Sequence, residues 1–351
     1  MRNGLLSIVI GAVLFASASA EVWTNPKADD LPMSFAFQGE YAGAGFGAQV
    51  IALNDVDVQV VLYPGGLPGD GWNGKDKSLL VGSIADDKIA LTAATGERRY
   101  LAKEAAQFSA TRQYPPKSQL KIVGSIADGT MQLTWSEDDT TRTAKLKKVQ
   151  RKSPTLGAKP PAEAIVLFDG SDKDEWKGGR LDEKTKLLNT DGRDMLTKRK
   201  FSNYRLHLEF LMPFRPAARG QGRGNSGFYQ VDHYEMQVLD SFGLDGVNNE
   251  CGGIYQKADP LVNMCYPPLS WQTYDVVFYN AVADSDGKKV KNAILTAKLN
   301  GVVIHDRLEI DGKTGGSRGE PEGTPGPIKL QGHGNPLQYR NIWMVELPAE
   351  E

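Results

Sequence analysis

The chain has 351 residues, with 41 Lys and Arg against 43 Asp and Glu, and a formal charge of −2 that leaves no positive excess to recruit nucleic acid or acidic lipid. At 40% hydrophobic and 24% charged residues it has globular composition, which excludes disordered and collagen-like classes. Its 38 glycines and 19 prolines favour short segments joined by turns, the pattern of an all-β fold.

Residues 1–20 read as a signal peptide: Arg2 supplies the positive start, Leu5 to Phe15 the apolar stretch, and Ala18-Ser19-Ala20 the small-residue cleavage site. The apolar run is shorter than the roughly 20 residues of a membrane span. A secreted or periplasmic protein is expected, with no stable membrane insertion after cleavage. No Cys follows the cleavage site, which speaks against a lipoprotein.

Residues 33–150 read as a small β domain. Val81-Gly82-Ser83-Ile84-Ala85-Asp86 recurs 42 residues later as Val123-Gly124-Ser125-Ile126-Ala127-Asp128, and each copy runs on to a Leu-Thr pair. A strand, a turn at the Asp and a second alternating strand predict paired hairpins. The loop Pro64–Gly74 carries Trp72, which either pins the loop to the body or offers a face to a sugar. Gly43-Ala44-Gly45-Phe46-Gly47 lacks the strand-loop-helix context of a phosphate cradle.

Residues 151–163, RKSPTLGAKPPAE, carry three prolines and no apolar alternation, and read as a linker. Beyond it, residues 164–348 alternate clearly. Leu206, Leu208 and Phe210 oppose Arg205, His207 and Glu209, and Tyr234, Met236 and Val238 oppose Glu235 and Gln237. Asn300-Gly301 predicts a type I′ hairpin between Leu295–Leu299 and Val302–His305. Further strands fit 271–280, 327–330 and 337–345, so a two-sheet sandwich or jelly roll is expected.

All four histidines, His207, His233, His305 and His333, lie in this second domain, so any imidazole chemistry belongs there. His207 reads as a solvent-face strand residue and His305 as equally plain. His333 stands apart in the glycine-flanked turn Gly332-His333-Gly334, where backbone can hold an imidazole over a cavity. Gly222–Gly227 matches a dinucleotide fingerprint in letters only, because strand rather than helix sequence follows; Arg215, Arg219 and Arg223 are expected on its solvated rim. Glu235 and Gln237 share a strand face, and Asp240 joins them only if the strand's end resets the alternation. Arg340 projects from the last strand, where it either pairs with a carboxylate or stabilises charge on a substrate oxygen. Cys251 and Cys265 either pair in an oxidising compartment or act as small buried hydrophobes. Neither has a zinc-like partner spacing. Asp284-x-Asp286-Gly287 looks calcium-like and fits a hairpin turn.

Phe168-Asp169-Gly170 with Trp176, Gly224-Asn225-Ser226-Gly227, Tyr234–Ser241, Cys251–Tyr255, Trp271–Tyr274, Leu299-Asn300-Gly301, Gln331-Gly332-His333-Gly334 and Arg340-Asn341-Ile342 together resemble, in order, the 3-keto-disaccharide hydrolase family over about residues 164–348. The resemblance implies a concanavalin-like jelly-roll sandwich preceded by the small β domain, and cleavage of glycosides oxidised to a ketone at sugar C3. Laminarinases of similar fold carry E-x-D-x-x-E, where this chain has Glu235-x-Gln237-x-x-Asp240. The amide at the centre disfavours the two-carboxylate glycosidase mechanism and an ordinary β-glucanase. A C3 ketone acidifies the C2 hydrogen, so one base suffices for β-elimination of the C1 oxygen, followed by hydration. The implied catalytic residues are Glu235, His333 and Asp240, with Asn225, Gln237, Gln331 and Arg340 binding substrate. No cofactor is expected; a divalent metal could replace Arg340 at the enolate, but no closed ligand set is visible. The expected partner is a carbohydrate, and the alternative reading is a non-catalytic carbohydrate-binding module.

Overall fold

The computed structural model describes residues 21–96 and 108–350; the expected signal peptide lies outside them. No helix among the described residues is long and apolar enough to cross a membrane. The protein is all-β, an eight-stranded barrel followed by a two-sheet sandwich, with one five-residue α-helix among the described residues, Met33–Phe37, just before the first barrel strand.

The barrel closes in sequence order from Gly39–Gly43 to Thr140–Val149, whose ends pair antiparallel. Alternation sends Val50, Val60, Leu62, Leu80, Ile126 and Leu146 inward, where they fill the lumen. The repeated sequence forms the hairpins Ser78–Ala85 with Lys88–Ala93 and Val123–Ala127 with Thr130–Glu137. The repeat keeps its glycine for a shared reason. A Cβ at Gly82 would lie 2.4 Å from the Ala90 carbonyl oxygen, and one at Gly124 would lie 2.4 Å from that of Gln132. Trp72 folds back onto the body, its ring 5.0 Å from Tyr63 and its Nε1 donating to the Asp76 carbonyl at 2.7 Å.

Two barrel strands, Phe46–Ala52 and Asp57–Pro64, are buried on both faces. Their outward Ile51, Val61 and Tyr63 belong to the hydrophobic core of the sandwich, so barrel and sandwich share packing.

The sandwich has a five-stranded sheet, ordered Trp176–Lys177, Met195–Thr197, Lys329–Leu330, Ser226–Gln230, Tyr234–Val238. The eight-stranded sheet runs Arg180–Asp182, Leu187–Asn189, Gln338–Glu346, Tyr204–Leu211, Gln272–Tyr279, Ala293–Leu299, Val302–Ile310, with Ile165–Phe168 added beside Gln338–Glu346. Between them Phe210 stacks on Tyr274 at 5.0 Å, and Phe228 and Phe278 complete the layer. Asn300 and Gly301 turn with φ of +53° and +84°, as a type I′ turn requires.

Residues 151–163 form no strand and lie across the outward face of the eight-stranded sheet. Ser153 Oγ meets Thr273 Oγ1 at 2.7 Å, Thr155 Oγ1 donates to Asp275 at 2.6 Å, and Gly157 N donates to Glu209 Oε1 at 2.5 Å. This strap corrects the expectation for His207. It is 1% exposed, beneath the strap, with Nδ1 2.6 Å from Asp275 and its ring stacked on Trp343. His305 is also buried, Nε2 lying 2.6 Å from the Gly252 carbonyl. Both cysteines are free thiols inside the core. Asp284 and Gly287 shape the tight turn between Val282–Ala283 and Lys289–Lys291.

Candidate functional site

In the hairpin Ser226–Gln230 with Tyr234–Val238, Phe228 faces Met236 and both enter the core. The period of two therefore turns Gly227, Tyr229, Glu235 and Gln237 to the opposite face. Gly227 pairs with Gln237 and Tyr229 with Glu235, so the cluster is set by register as well as alternation. Lys329 joins from the next strand opposite Tyr229, and Gln331 follows it. A Cβ at Gly227 would lie 2.3 Å from Glu235 Oε1 and 2.7 Å from the Tyr229 ring, so any side chain there would displace the Glu235 carboxylate.

Tyr234–Val238 is the sheet's edge strand, and its backbone is satisfied by two loops. Gln237 exchanges hydrogen bonds with Gly252 and Gly253, and Tyr255 N donates to the Glu235 carbonyl. Thr314 Oγ1 accepts from Glu235 N at 2.8 Å, drawing residues 311–326 over the cluster. The same loop is held by Tyr234, whose hydroxyl donates to Glu322 at 2.8 Å.

These elements enclose a cavity of about 270 Å³, lined by Gln221, Asn225, Tyr229, Glu235, Gln237, Tyr255, Gly315, Gly316, Gln331 and His333. Five of the seven expected site residues thus meet: Glu235, His333, Asn225, Gln237 and Gln331. A larger cavity of about 510 Å³, near Glu40, Arg151 and Tyr266 at the seam of the domains, contains none of them.

Glu235 is 4% exposed, and burial pushes its carboxyl up to about 7, against the lowering by the Tyr229 hydrogen bond and by Lys329. The Tyr229 hydroxyl lies 2.9 Å from both Glu235 Oε2 and the Gly315 carbonyl, and its single proton serves one at a time. Lys329 sits over the Tyr229 ring at 3.8 Å and pairs with Asp232 at 2.5 Å. Asn225, Gln237 and Gln331 each line the cavity and each keep a buried amide oxygen without a hydrogen-bond partner. Unmet acceptors of this kind are costly in a finished core and suit a hydroxyl-rich ligand. His333, exposed at the rim with φ of +40°, is held on its turn by Asn335, which donates to its carbonyl, and by Gly332 N donating to Asp194.

Asp240 and Arg340 are placed elsewhere. Asp240 lies past the end of its strand, fully buried, and receives the Arg223 Nε at 2.6 Å. The expected phase reset does not turn it to the cavity, because the Arg223 guanidinium claims it from the other side of the chain. Arg223 is accordingly buried, not on a solvated rim. Arg340 belongs to the eight-stranded sheet, where it pairs with Glu209 at 2.6 Å and lies 3.9 Å from the Trp271 ring. Tyr229, Tyr255, Gln221 and Lys329 are additional site residues. For Tyr229 the signal was its alternation with Gly227; the others come from loops or across strands. Among the described residues, no three His, Cys, Asp or Glu side chains converge to hold a metal ion.

The family described as a 3-keto-alpha-glucoside-1,2-lyase-like domain matches residues 163–345. Three solved structures of candidate glycosyl hydrolases from Parabacteroides distasonis ATCC 8503 are similar to about half of the chain. One has 34% identity, with 53% of this chain and 85% of that chain covered and a TM-score of 0.49. The others have 18% identity, 53% and 94% coverage and a TM-score of 0.39, and 19% identity, 52% and 99% coverage and a TM-score of 0.38. No curated protein matches the chain.

Proposed function

Because the chain belongs to the 3-keto-alpha-glucoside-1,2-lyase-like family, which its residues 163–345 match, we propose that it is an exported enzyme cleaving the glycosidic bond of 3-keto-glycosides. The observation that carries this reading is a single buried carboxyl held near 7, Glu235, facing three side-chain amides with open acceptors. A retaining or inverting glycosidase needs two carboxyl groups flanking the bond, and among the described residues lining this cavity Glu235 is the only Asp or Glu.

A ketone at C3 makes the C2 hydrogen acidic. Glu235, ionised above about pH 7, takes that proton, and the C2–H electrons form an enolate with the ketone. The enolate collapses to a C1=C2 double bond as the C1–O bond breaks, its electron pair leaving on the glycosidic oxygen. His333 at the rim protonates that oxygen. Water then adds its hydroxyl at C1 and a proton at C2, so that the net change is hydrolysis. Asn225, Gln237 and Gln331 hold the hydroxyl and ketone oxygens, and Tyr229 fixes the Glu235 carboxyl. The first twenty residues would direct export.

The test incubates the protein with a glucoside and its 3-keto derivative in heavy water. Aglycone release from the keto form alone, with deuterium at C2 of the product, is expected. Release from the unoxidised sugar would overturn the reading in favour of an ordinary glycosidase. Binding without release would make the protein a carbohydrate-binding module.

A further inference from the structure

We infer that the barrel is a positioning element for the catalytic cavity, acting through Arg219 and Arg223 on the wall that carries Gln221 and Asn225. The inference rests on the cavity being the substrate site.

The segment 215–225 runs between the two domains. On its barrel side Arg219 donates to the Leu53 carbonyl at 2.7 Å and Arg223 to the Ala52 carbonyl at 3.2 Å, both at the end of the strand Phe46–Ala52. On its cavity side Gln221 accepts from the Asn225 amide and donates to the Asn249 carbonyl at 2.9 Å. Asn249 sits on the loop 239–250, and the barrel holds that loop too. Lys77 pairs with Asp245 at 2.7 Å, and Asp245 N donates to the Ser109 carbonyl at 2.8 Å. Both ends of the Gln221 bridge therefore contact the barrel, beside the sandwich's own holds: Asp240 pairs with Arg223 and donates from its backbone N to the Arg223 carbonyl, and Asn263 donates to the Ser241 and Leu244 carbonyls of the loop. Charge-assisted bonds to strand-end carbonyls are directional, so they set where the Gln221 and Asn225 side chains stand. Arg219 and Arg223 are positioning residues; neither lines the cavity.

The test uses the full chain with Arg219→Ala and Arg219→Lys, since Arg219 is only half-buried and its loss spares both cores. Hydrogen exchange in R219A should quicken over 219–225 while the barrel hairpins keep the wild-type rate, and R219K should restore part of the protection. With a 3-keto-glucoside, R219A should raise KM about tenfold with kcat held within about twofold, and should raise it no further on a Gln221→Ala background. Unchanged exchange over 219–225 would overturn the brace whatever the substrate. Faster exchange with unchanged KM, or a KM effect undiminished in the Q221A background, would overturn its link to the cavity. If the wild-type protein leaves 3-keto-glucosides intact, the functional reading falls, and the exchange measurement still decides the brace.

Discussion

Glu235 and Glu209 occupy the same place in the pattern of the chain: each is the polar member of an alternating strand, each faces outward from its own sheet of the sandwich, and each is nearly inaccessible, 4% and 0% exposed. Their surroundings differ. Burial raises both carboxyls, but at Glu209 it is overcome by His207, Asn341, Gly157 and Arg340, which bring that group down to about 2. At Glu235 only the Tyr229 hydroxyl and the charge of Lys329 oppose burial, and the group stays near 7. One strap and one arginine turn a buried glutamate into a fastening. Leaving the same residue over a cavity with one hydrogen-bond donor keeps it near neutral, the range the proposed reaction asks of its base.

The largest expected effect breaks the comparison at its reactive end. Glu235→Gln keeps the shape and removes the base, so kcat on a 3-keto-glucoside should fall about 10²- to 10⁴-fold. Stability should move the other way. Because the folded carboxyl is raised from 4.5 to about 7, wild-type stability drops as pH rises through about 7, and Gln does not titrate. Thermal unfolding should show E235Q gaining on wild type between pH 5 and pH 8. Equal slopes would mean that Glu235 is not desolvated as described.

At the fastened end, Glu209→Ala should leave kcat within about twofold and cost about 3 kcal/mol of stability, because Gly157 N, His207 and Arg340 lose their acceptor together. The sign with pH is fixed by two shifts. Glu209 is lowered, so its contribution is full above its ordinary 4.5 and vanishes as pH falls through about 2. His207 is raised, Asp275 and Glu209 outweighing burial, so its contribution is full below its ordinary 6.5 and is lost as pH climbs through the raised value. Denaturant unfolding of wild type against E209A should show the widest gap between those two ordinary values.

A subtler change sharpens the comparison. Tyr229→Phe deletes the one donor that lowers Glu235, so the acid limb of the pH–kcat/KM profile should move upward from about 7. A limb that stays put would remove Tyr229 from the control of this base.

The comparison also explains what could be read in advance. Alternation alone places Glu235 and Gln237 opposite Met236 and Val238, and it does the same for Glu209 against Leu208 and Phe210. It does not say which sheet a strand joins or what covers the outward face. The pattern leaves Arg340 open between a carboxylate and a substrate oxygen, and its strand in the eight-stranded sheet puts it on Glu209; His207 reads as solvent-facing, and a strap without sequence periodicity hides it. Asp240 failed at a strand end, where the period of two lapses and a buried Arg223 seventeen residues away decides the orientation. Tyr229 shares one hairpin with Glu235, whereas Lys329 depends on register with a strand far away in sequence, and Gln221 on a barrel that composition could not orient. The place of His333 at the cavity rim is legible, since a glycine-flanked turn after a strand advertises itself locally.

The smallest expected effect concerns Arg340, and it divides the two faces most directly. Its guanidinium sits on the Trp271 ring and on Glu209, more than a third of its side chain is exposed, and the remaining partners of Glu209, Gly157 N, Asn341 and His207, stay when it is removed. Arg340→Ala should therefore cost about 1 kcal/mol of stability, the scale of a half-solvated pair, and leave both kcat and KM within about twofold. A loss of turnover comparable to that of E235Q would place Arg340 in the reaction and require the last strand to present it to the other sheet's face, which its pairing opposite Glu209 forbids.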